Sequence, residues 1–251
     1  TLFRSTEEIG KMRVVIPEDE KKALTHYAYH IKAGKEIFAA EGAFGQYLIC
    51  FRDYPVAIGI TAGASEYLAA DICLKYIKEA VQIPCEKENL EEAQEKLEEK
   101  LVHLTLPKPE GDKKDTNEAT KKLLNKRIVF TENPRQIESA VISTVGEELK
   151  LELTVAGEKK ILFAGYKDWK CNDMYPNDFT KRYHAVSYAF DEDALYLSVG
   201  LLNTSYREEY CLWVNSENVV VGTWRPNVTY LPAEEDMTWK FTGTFEPSCI
   251  L

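Results

Sequence analysis

The feature that most constrains the fold is a series of short strand-like segments that fills the second half of the chain. In the clearest of them, residues 149–155 read LKLELTV, so apolar and polar side chains alternate strictly. This alternation is typical of a strand with one buried face. The predicted strands are 128–130, 137–143, 149–155, 160–164, 183–190, 194–201, 208–214, 218–224 and 239–245. Turn signals at Gly146, Gly157, 191–193 and 215–217 separate them, which predicts an antiparallel barrel or sandwich of about eight or nine strands.

The first half has a different pattern, centred on residues 36–61, which read EIFAAEGAFGQYLICFRDYPVAIGIT. Short apolar runs bounded by Gly and Pro favour strands over helices, so this stretch predicts an antiparallel meander. Apolar residues recur at helical spacing over 65–80, which predicts a helix packed on the meander. A second helix is predicted over 86–104, with a glutamate-rich face in solvent.

A change in composition predicts the domain boundary. Residues 107–115 read PKPEGDKKD, with two prolines, one glycine and no apolar anchor, as expected for a linker. We therefore predict a first domain at 6–106, a linker at 107–125 that contains a short helix over 118–124, and an all-β domain at 126–251. Residues 1–5, TLFRS, match the translated end of a common sequencing adapter, so we interpret them as an artefact and exclude them.

Composition and charge limit the partners. The formal net charge of −10 would repel nucleic-acid phosphates, so we expect no nucleic-acid partner. No run approaches the about 18 apolar residues that a transmembrane helix needs. The six cysteines show no short ligand spacing, and we predict neither a metal site nor a cofactor.

The stretch FAAEGAFGQYLI at 38–49, followed by a turn, a second apolar strand and a long helix, resembles the end of the catalytic domain in a known family. The family is that of the serine hydrolases related to class C β-lactamases and penicillin-binding proteins. The turn at Glu132-Asn133-Pro134 and the segment 165–169 are similar to parts of the C-terminal accessory domain that follows many of these enzymes. The resemblance implies an α+β fold, in which a partial β-lactamase or transpeptidase-like antiparallel sheet with helices precedes the all-β domain.

The same resemblance implies an acyl-enzyme mechanism whose nucleophile is not in this chain. The family's Ser-x-x-Lys box occurs nowhere in the sequence, so we place the nucleophile and base upstream and assign no catalytic residue here. The family's Lys-Thr-Gly element would fall on 37–42, where it is also missing, which argues against β-lactam hydrolysis. The side chains and backbone that would line the substrate cleft are those of Ala40, Glu41, Gly42, Phe44 and Gln46.

Two functions are therefore predicted. The first is a C-terminal fragment of a bacterial serine hydrolase, inactive by itself, whose intact parent cleaves an ester, amide or peptide in a small-molecule or peptide substrate. The alternative is a non-catalytic binding or cell-envelope protein with penicillin-binding-protein-like architecture. The location is left open between the bacterial cytoplasm and the cell envelope. In either case we expect self-association through an exposed face of the first sheet.

Aromatic side chains are concentrated in the second half. They are expected to fill the core of a small barrel, and a carbohydrate or peptidoglycan platform is the alternative. The residues concerned are Trp169, Tyr183, Tyr188, Phe190, Tyr196, Tyr206, Tyr210, Trp213, Trp224 and Trp239.

Overall fold

The chain forms two compact units, residues 1–105 and 106–251. The computed structural model describes residues 24, 26–28, 30–63, 69–82, 90–112, 120–172, 183–202, 204–229 and 237–247. The pentapeptide at 1–5 lies outside these residues.

The first unit contains an antiparallel meander of five strands in sequential order. The strands are β1 (His26–Ala28), β2 (Ile31–Ala33), β3 (Ile37–Gly42), β4 (Gln46–Phe51) and β5 (Ala57–Ile60). Two helices follow, α1 (Ala69–Gln82) and α2 (Leu90–Val102). The sequence-predicted meander and both helices are therefore present, and the predicted helix starts at 65 and 86 lie outside the described residues.

Strand alternation decides which face of the meander is covered. Tyr47, Ile49 and Phe51 are buried on β4, whereas Leu48 between them is 53% exposed. Leu74 and Ile77 of α1 pack against the buried cluster. One face is thus a small core between sheet and helix, because neighbouring side chains on a strand point to opposite faces.

The described residues of the second unit form ten strands, and all nine strands predicted from the sequence are among them. They run β6 (Arg127–Phe130), β7 (Ile137–Val145), β8 (Glu148–Val155), β9 (Glu158–Tyr166), β10 (Lys170–Asn172), β11 (His184–Asp191), β12 (Ala194–Leu201), β13 (Arg207–Val214), β14 (Val220–Pro226) and β15 (Trp239–Phe245). The three-residue strand β10 is the one that the sequence pattern did not predict.

The sheet closes into a barrel through one parallel contact. Antiparallel pairing joins β11 through β15 to β6 and on to β9, and β9 then pairs with β11 at Gly165–Ser187 and Tyr166–Tyr188. Nine strands form the ring, while β10 pairs with β11 beside it. A side chain on Gly165 would place Cβ 2.8 Å from the carbonyl oxygen of Asp168, so the tight turn after β9 requires glycine.

Asn172 joins β10 to β9 in place of a regular ladder. Its side-chain Oδ1 accepts a hydrogen bond from the backbone N–H of Phe163 at 2.6 Å, and its Nδ2 donates to the carbonyl of Phe163 at 3.0 Å. A buried amide can satisfy a backbone donor and acceptor at once, as a neighbouring strand would.

Much of the segment predicted as a linker packs on the barrel. A 3₁₀ helix at Thr120–Leu123 buries both its end residues, and Leu123 belongs to the barrel core. Asp112 accepts hydrogen bonds from Lys167 Nζ at 2.6 Å and, through its backbone carbonyl, from the Tyr166 hydroxyl at 2.8 Å. The described parts of 107–125 are therefore held to the second unit.

The predicted α+β class is wrong, because the chain is mostly β and its larger unit is a closed barrel. The expected β-lactamase or transpeptidase-like sheet was inferred from a Gly-rich hairpin followed by a helix. That local pattern is shared by many meanders, since it follows from turn sterics and strand alternation alone. Of the predicted alternatives for the second half, barrel and sandwich, the structure has the barrel.

Candidate functional site: a cavity inside the barrel

The barrel encloses a cavity of about 120 Å³. Its wall is formed mostly by inward-facing aliphatic side chains from strands all around the ring. Those that lie toward the middle of their strands are Ile142, Leu151, Leu162, Leu197 and Leu212. A closed barrel of about this strand number has an interior that side chains nearly fill or that holds one small ligand.

Polar side chains line the cavity near one end of the barrel. Arg135 precedes β7, Lys160 lies near the start of β9, His184 begins β11 and Glu208 lies near the start of β13. The strand ends meet here, because Val199 of β12 pairs with Glu208 and Ile137 of β7 pairs with Val155 of β8. The cavity is therefore amphipathic along the barrel axis.

Three of the polar side chains form a connected cluster. Arg135 Nη2 lies 3.1 Å from Glu208 Oε1, and the Tyr210 hydroxyl donates to Glu208 Oε2 at 2.6 Å. The Glu208 side chain is only 9% exposed, while that of Arg135 is 40% exposed and contributes part of that surface to the cavity wall. Each carboxylate oxygen of Glu208 thus has one donor, as a buried carboxylate needs.

Electrostatics fixes the protonation states of this cluster. Burial, followed by the negative charge of Glu208, raises the pKa of Tyr210 well above its ordinary value, so its hydroxyl remains a donor. Burial alone would lower the pKa of Arg135, but Glu208 and Tyr210 outweigh it and the net pKa is raised. Arg135 is accordingly a permanent cation paired with a carboxylate.

The guanidinium of Arg135 also rests on an aromatic wall. Its centre lies 5.9 Å from the ring centroid of Trp224, which in turn packs against Trp239 with centroids 4.8 Å apart. A cation over an indole face is attracted by the ring quadrupole, and the stacking restricts the side chain. These aromatics belong to the core cluster, as the core interpretation of the aromatic content predicted.

Sequence reasoning missed this site, although β13 carries a signal for it. Glu208 and Tyr210 are in phase with Leu212, whose side chain lies in the core. Period-two alternation places all three on the inner face of the same strand. A carboxylate at an inward-facing position of a barrel strand requires a buried partner, but the sequence does not show that Arg135 supplies it.

The cleft residues predicted from the sequence lie together in the first unit, at the hairpin between β3 and β4. Ala40, Glu41 and Gly42 end β3 and Gln46 begins β4, with Gly42 paired to Gln46. Phe44 occupies the turn with φ of 62°, in the left-handed region. The structure thus brings the five residues into one hairpin, and their role as a substrate cleft stays a prediction.

The polar side chains of this hairpin have structural partners. Glu41 forms an ion pair with Lys32 on the adjacent strand and accepts a hydrogen bond from the Tyr47 hydroxyl at 3.2 Å. Gln46 Nε2 donates to the backbone carbonyl of Ala62. These contacts hold the strands in register and connect the hairpin to the segment after β5.

The described parts of the chain lack two further kinds of site. No helix there is long and apolar enough to span a membrane. Within the same residues, no group of three or more His, Cys, Asp or Glu side chains is arranged to hold a metal ion.

Comparisons with known proteins give a limited result. No family model matches the chain, and no curated protein matches it. Among solved structures, the chain is similar to apo lipid binding protein 8 of Caenorhabditis elegans, with 7% sequence identity and a TM-score of 0.39. The similar region covers 51% of this chain and 98% of that one. Similarity at this level carries no argument about function.

The predicted function, a serine hydrolase fragment that acts through an acyl-enzyme in its parent, is corrected. Its basis was the α+β catalytic architecture, whereas the structure is mostly β and the larger unit is a closed barrel around an amphipathic cavity. Three residues on that cavity wall, Arg135, Glu208 and Tyr210, form a salt-bridged and hydrogen-bonded cluster. The predicted β barrel is confirmed, and the hydrolase and penicillin-binding descriptions have no support.

Proposed function

We propose that this protein binds a small, mainly apolar molecule inside the barrel of its second unit. The observation that carries the proposal is the cavity inside the barrel, lined by aliphatic side chains with polar groups at one end. This function corresponds to the alternative that the sequence left open, a non-catalytic binding protein.

The cavity volume sets the scale of the ligand. A cavity of about 150 Å³ lined by Leu, Ile and Phe stays dry and binds benzene. The value of about 120 Å³ here is of the same order, so the matching ligand has about six to eight carbon atoms. Burial of apolar surface contributes about 25 cal/mol per Å², so binding of such a ligand is dominated by the hydrophobic effect.

Toluene is a direct probe of this proposal. We expect saturable binding by isothermal titration calorimetry, with a negative heat-capacity change because apolar surface is buried. At a toluene concentration of 100 times Kd, the free energy of unfolding of the second unit should rise by about 2.7 kcal/mol.

Filling the cavity should abolish the effect. Ala140 is 4% exposed and lines the cavity, so Ala140→Phe places a ring where the ligand would lie. Val145 is on the same strand but is 49% exposed, and Val145→Phe is the matched control. Leu153→Phe is a second cavity-filling variant, in case Ala140→Phe does not fold. Equal toluene binding by wild type and a folded cavity-filled variant would contradict the proposal.

A further inference from the structure

One donor in the polar cluster of the cavity is not used. The Nε–H of Arg135 is buried and has no hydrogen-bond partner among the described residues, although Nη2 of the same guanidinium pairs with Glu208. A buried donor without an acceptor costs free energy, and such groups in native proteins call for an explanation. An acceptor atom on a bound ligand would supply the missing partner.

The charge of the cluster decides which kind of acceptor fits. The positive charge of Arg135 is already matched by Glu208, whose carboxylate lies 3.1 Å from Nη2 and is nearly buried. A ligand carboxylate at Nε would therefore place a second negative charge close to Glu208 in a region of low dielectric. A neutral oxygen accepts the same hydrogen bond without that repulsion.

Two further polar side chains on the wall do not change this conclusion. Lys160 and His184 line the same cavity, but each already interacts with other groups of the protein. The Tyr210 hydroxyl donates to Glu208 and also interacts with the Arg135 guanidinium, so it is already engaged within the cluster. The cluster thus offers one unused donor, the Arg135 Nε–H, which matches the uncharged oxygen of an alcohol or a carbonyl group.

We propose that the cavity is selective for neutral amphipathic molecules, with an alcohol or carbonyl oxygen at Arg135 Nε and an aliphatic part among the leucines, and that it discriminates against carboxylates. This inference rests on the proposed binding function. The two parts of such a ligand match the two parts of the cavity, because Arg135 and Glu208 lie at one end and Leu151 and Leu162 lie deeper.

Calorimetric titration of the full chain with 1-hexanol, hexanoate and toluene at pH 7 tests the selectivity. Hexanol should bind at least tenfold more tightly than hexanoate, which has the same carbon chain and differs in its head group. Hexanoate binding equal to or tighter than hexanol binding would overturn the inference. If toluene binds but hexanol shows no preference, only the inference fails; if none of the three binds, the proposed function fails as well.

Glu208→Gln reports on the cause of the selectivity. Removal of the carboxylate leaves the Arg135 charge uncompensated, so the ratio of hexanol to hexanoate affinity should fall at least tenfold. An unchanged ratio in the folded variant would show that Glu208 does not set the charge preference and would contradict the inference.

A double variant covers the case in which the single variant does not fold. Arg135→Met with Glu208→Gln removes both charges, so no buried charge is left unpaired. This variant should still bind toluene, whereas its hexanol affinity should drop at least fivefold because the Nε donor is lost. Undiminished hexanol binding would show that Arg135 does not contact the ligand oxygen.

Discussion

The two units of this chain are both built from antiparallel strands, but one forms an open sheet and the other a closed barrel. The five-stranded meander has two edges, β1 and β5, and packs one face on α1. The barrel has no free edge in its ring, since β9 pairs with β11. Closure removes the exposed backbone of the edges and creates an interior that side chains do not fill completely. Within the described residues, the cavity of about 120 Å³ is therefore a consequence of closing the barrel.

The chain supplies a convenient probe for this comparison. Its four tryptophans are residues 169, 213, 224 and 239, and all belong to the second unit. Tryptophan fluorescence in a denaturant titration therefore reports on the barrel. Hydrogen exchange over residues 37–51 reports on the meander, because protection there reflects local or unit-wide opening.

The largest effect is expected for Tyr188→Ala in the barrel. Tyr188 is 2% exposed, contacts the rings of Tyr166 and Phe190, and donates from its hydroxyl to the carbonyl of Glu147. Its loss leaves a cavity and removes the hydrogen bond to Glu147, so the free energy of unfolding measured by tryptophan fluorescence should fall by about 3–5 kcal/mol. Tyr183→Ala, at a residue 44% exposed, is the control and should change stability by less than about 1 kcal/mol. Similar losses for both variants would contradict this description of the core.

Ile49→Ala tests whether the meander is stabilised independently of the barrel. Ile49 is fully buried in the meander core, so the free energy of opening measured by hydrogen exchange over residues 37–51 should fall by about 2–5 kcal/mol. The tryptophan transition should not move, because the two units have separate cores. Leu48→Ala removes the same number of carbons from the exposed face of β4 and serves as the control. A shift of the barrel transition in Ile49→Ala would show that the units unfold together.

Tyr210→Phe tests the electrostatics of the barrel cavity. It removes the donor to Glu208. The free energy of unfolding of the barrel at pH 7, measured by tryptophan fluorescence, should therefore fall by about 1–3 kcal/mol. Because the pKa of Tyr210 is raised in the folded state, the unfolded chain releases this proton first as pH rises above about 10.

The stability that Tyr210 contributes is therefore fully present below pH 10 and is lost as pH rises toward the folded-state pKa. The expected loss is up to about 1.4 kcal/mol per pH unit in wild type, and Tyr210→Phe should lack this component. Parallel pH profiles for the two proteins above pH 10 would contradict the assignment.

The smallest effect is expected for Lys96→Ala on α2. Lys96 pairs with Glu92 one helical turn away, and both side chains are about two-thirds exposed or more. Exposed pairs of this kind contribute about 0.3–0.5 kcal/mol, and added salt screens them. The tryptophan transition should not change, and circular dichroism at 222 nm should change by a few per cent at most. A loss of more than about 1 kcal/mol in the free energy of unfolding of the first unit would mean that α2 is packed more extensively than its exposure indicates.

The expected self-association through the first sheet stays a prediction. Leu48 is 53% exposed on the face opposite α1, but Phe38 on the same face is buried and lies under the Arg52 guanidinium at 5.7 Å. Sedimentation velocity on wild type and Leu48→Lys would test it, since a charge at this position disfavours association.

The sequence by itself determined the local elements of this protein. Alternation over 149–155 and the turn glycines at 146 and 157 specify β8 and its neighbours, because side-chain direction along a strand depends only on residue parity. The predicted strands 194–201 and 239–245 coincide with β12 and β15 for the same reason.

Only the tertiary structure decided what those strands enclose. The parallel contact between β9 and β11, which turns a sheet into a barrel, joins residues 22 positions apart at Gly165 and Ser187, and no local pattern specifies it. The pairing of Arg135 with Glu208 joins residues from β6–β7 and β13 that meet only after closure. Long-range register is set by the packing of whole faces, so the cavity and its polar cluster became visible only in the folded molecule.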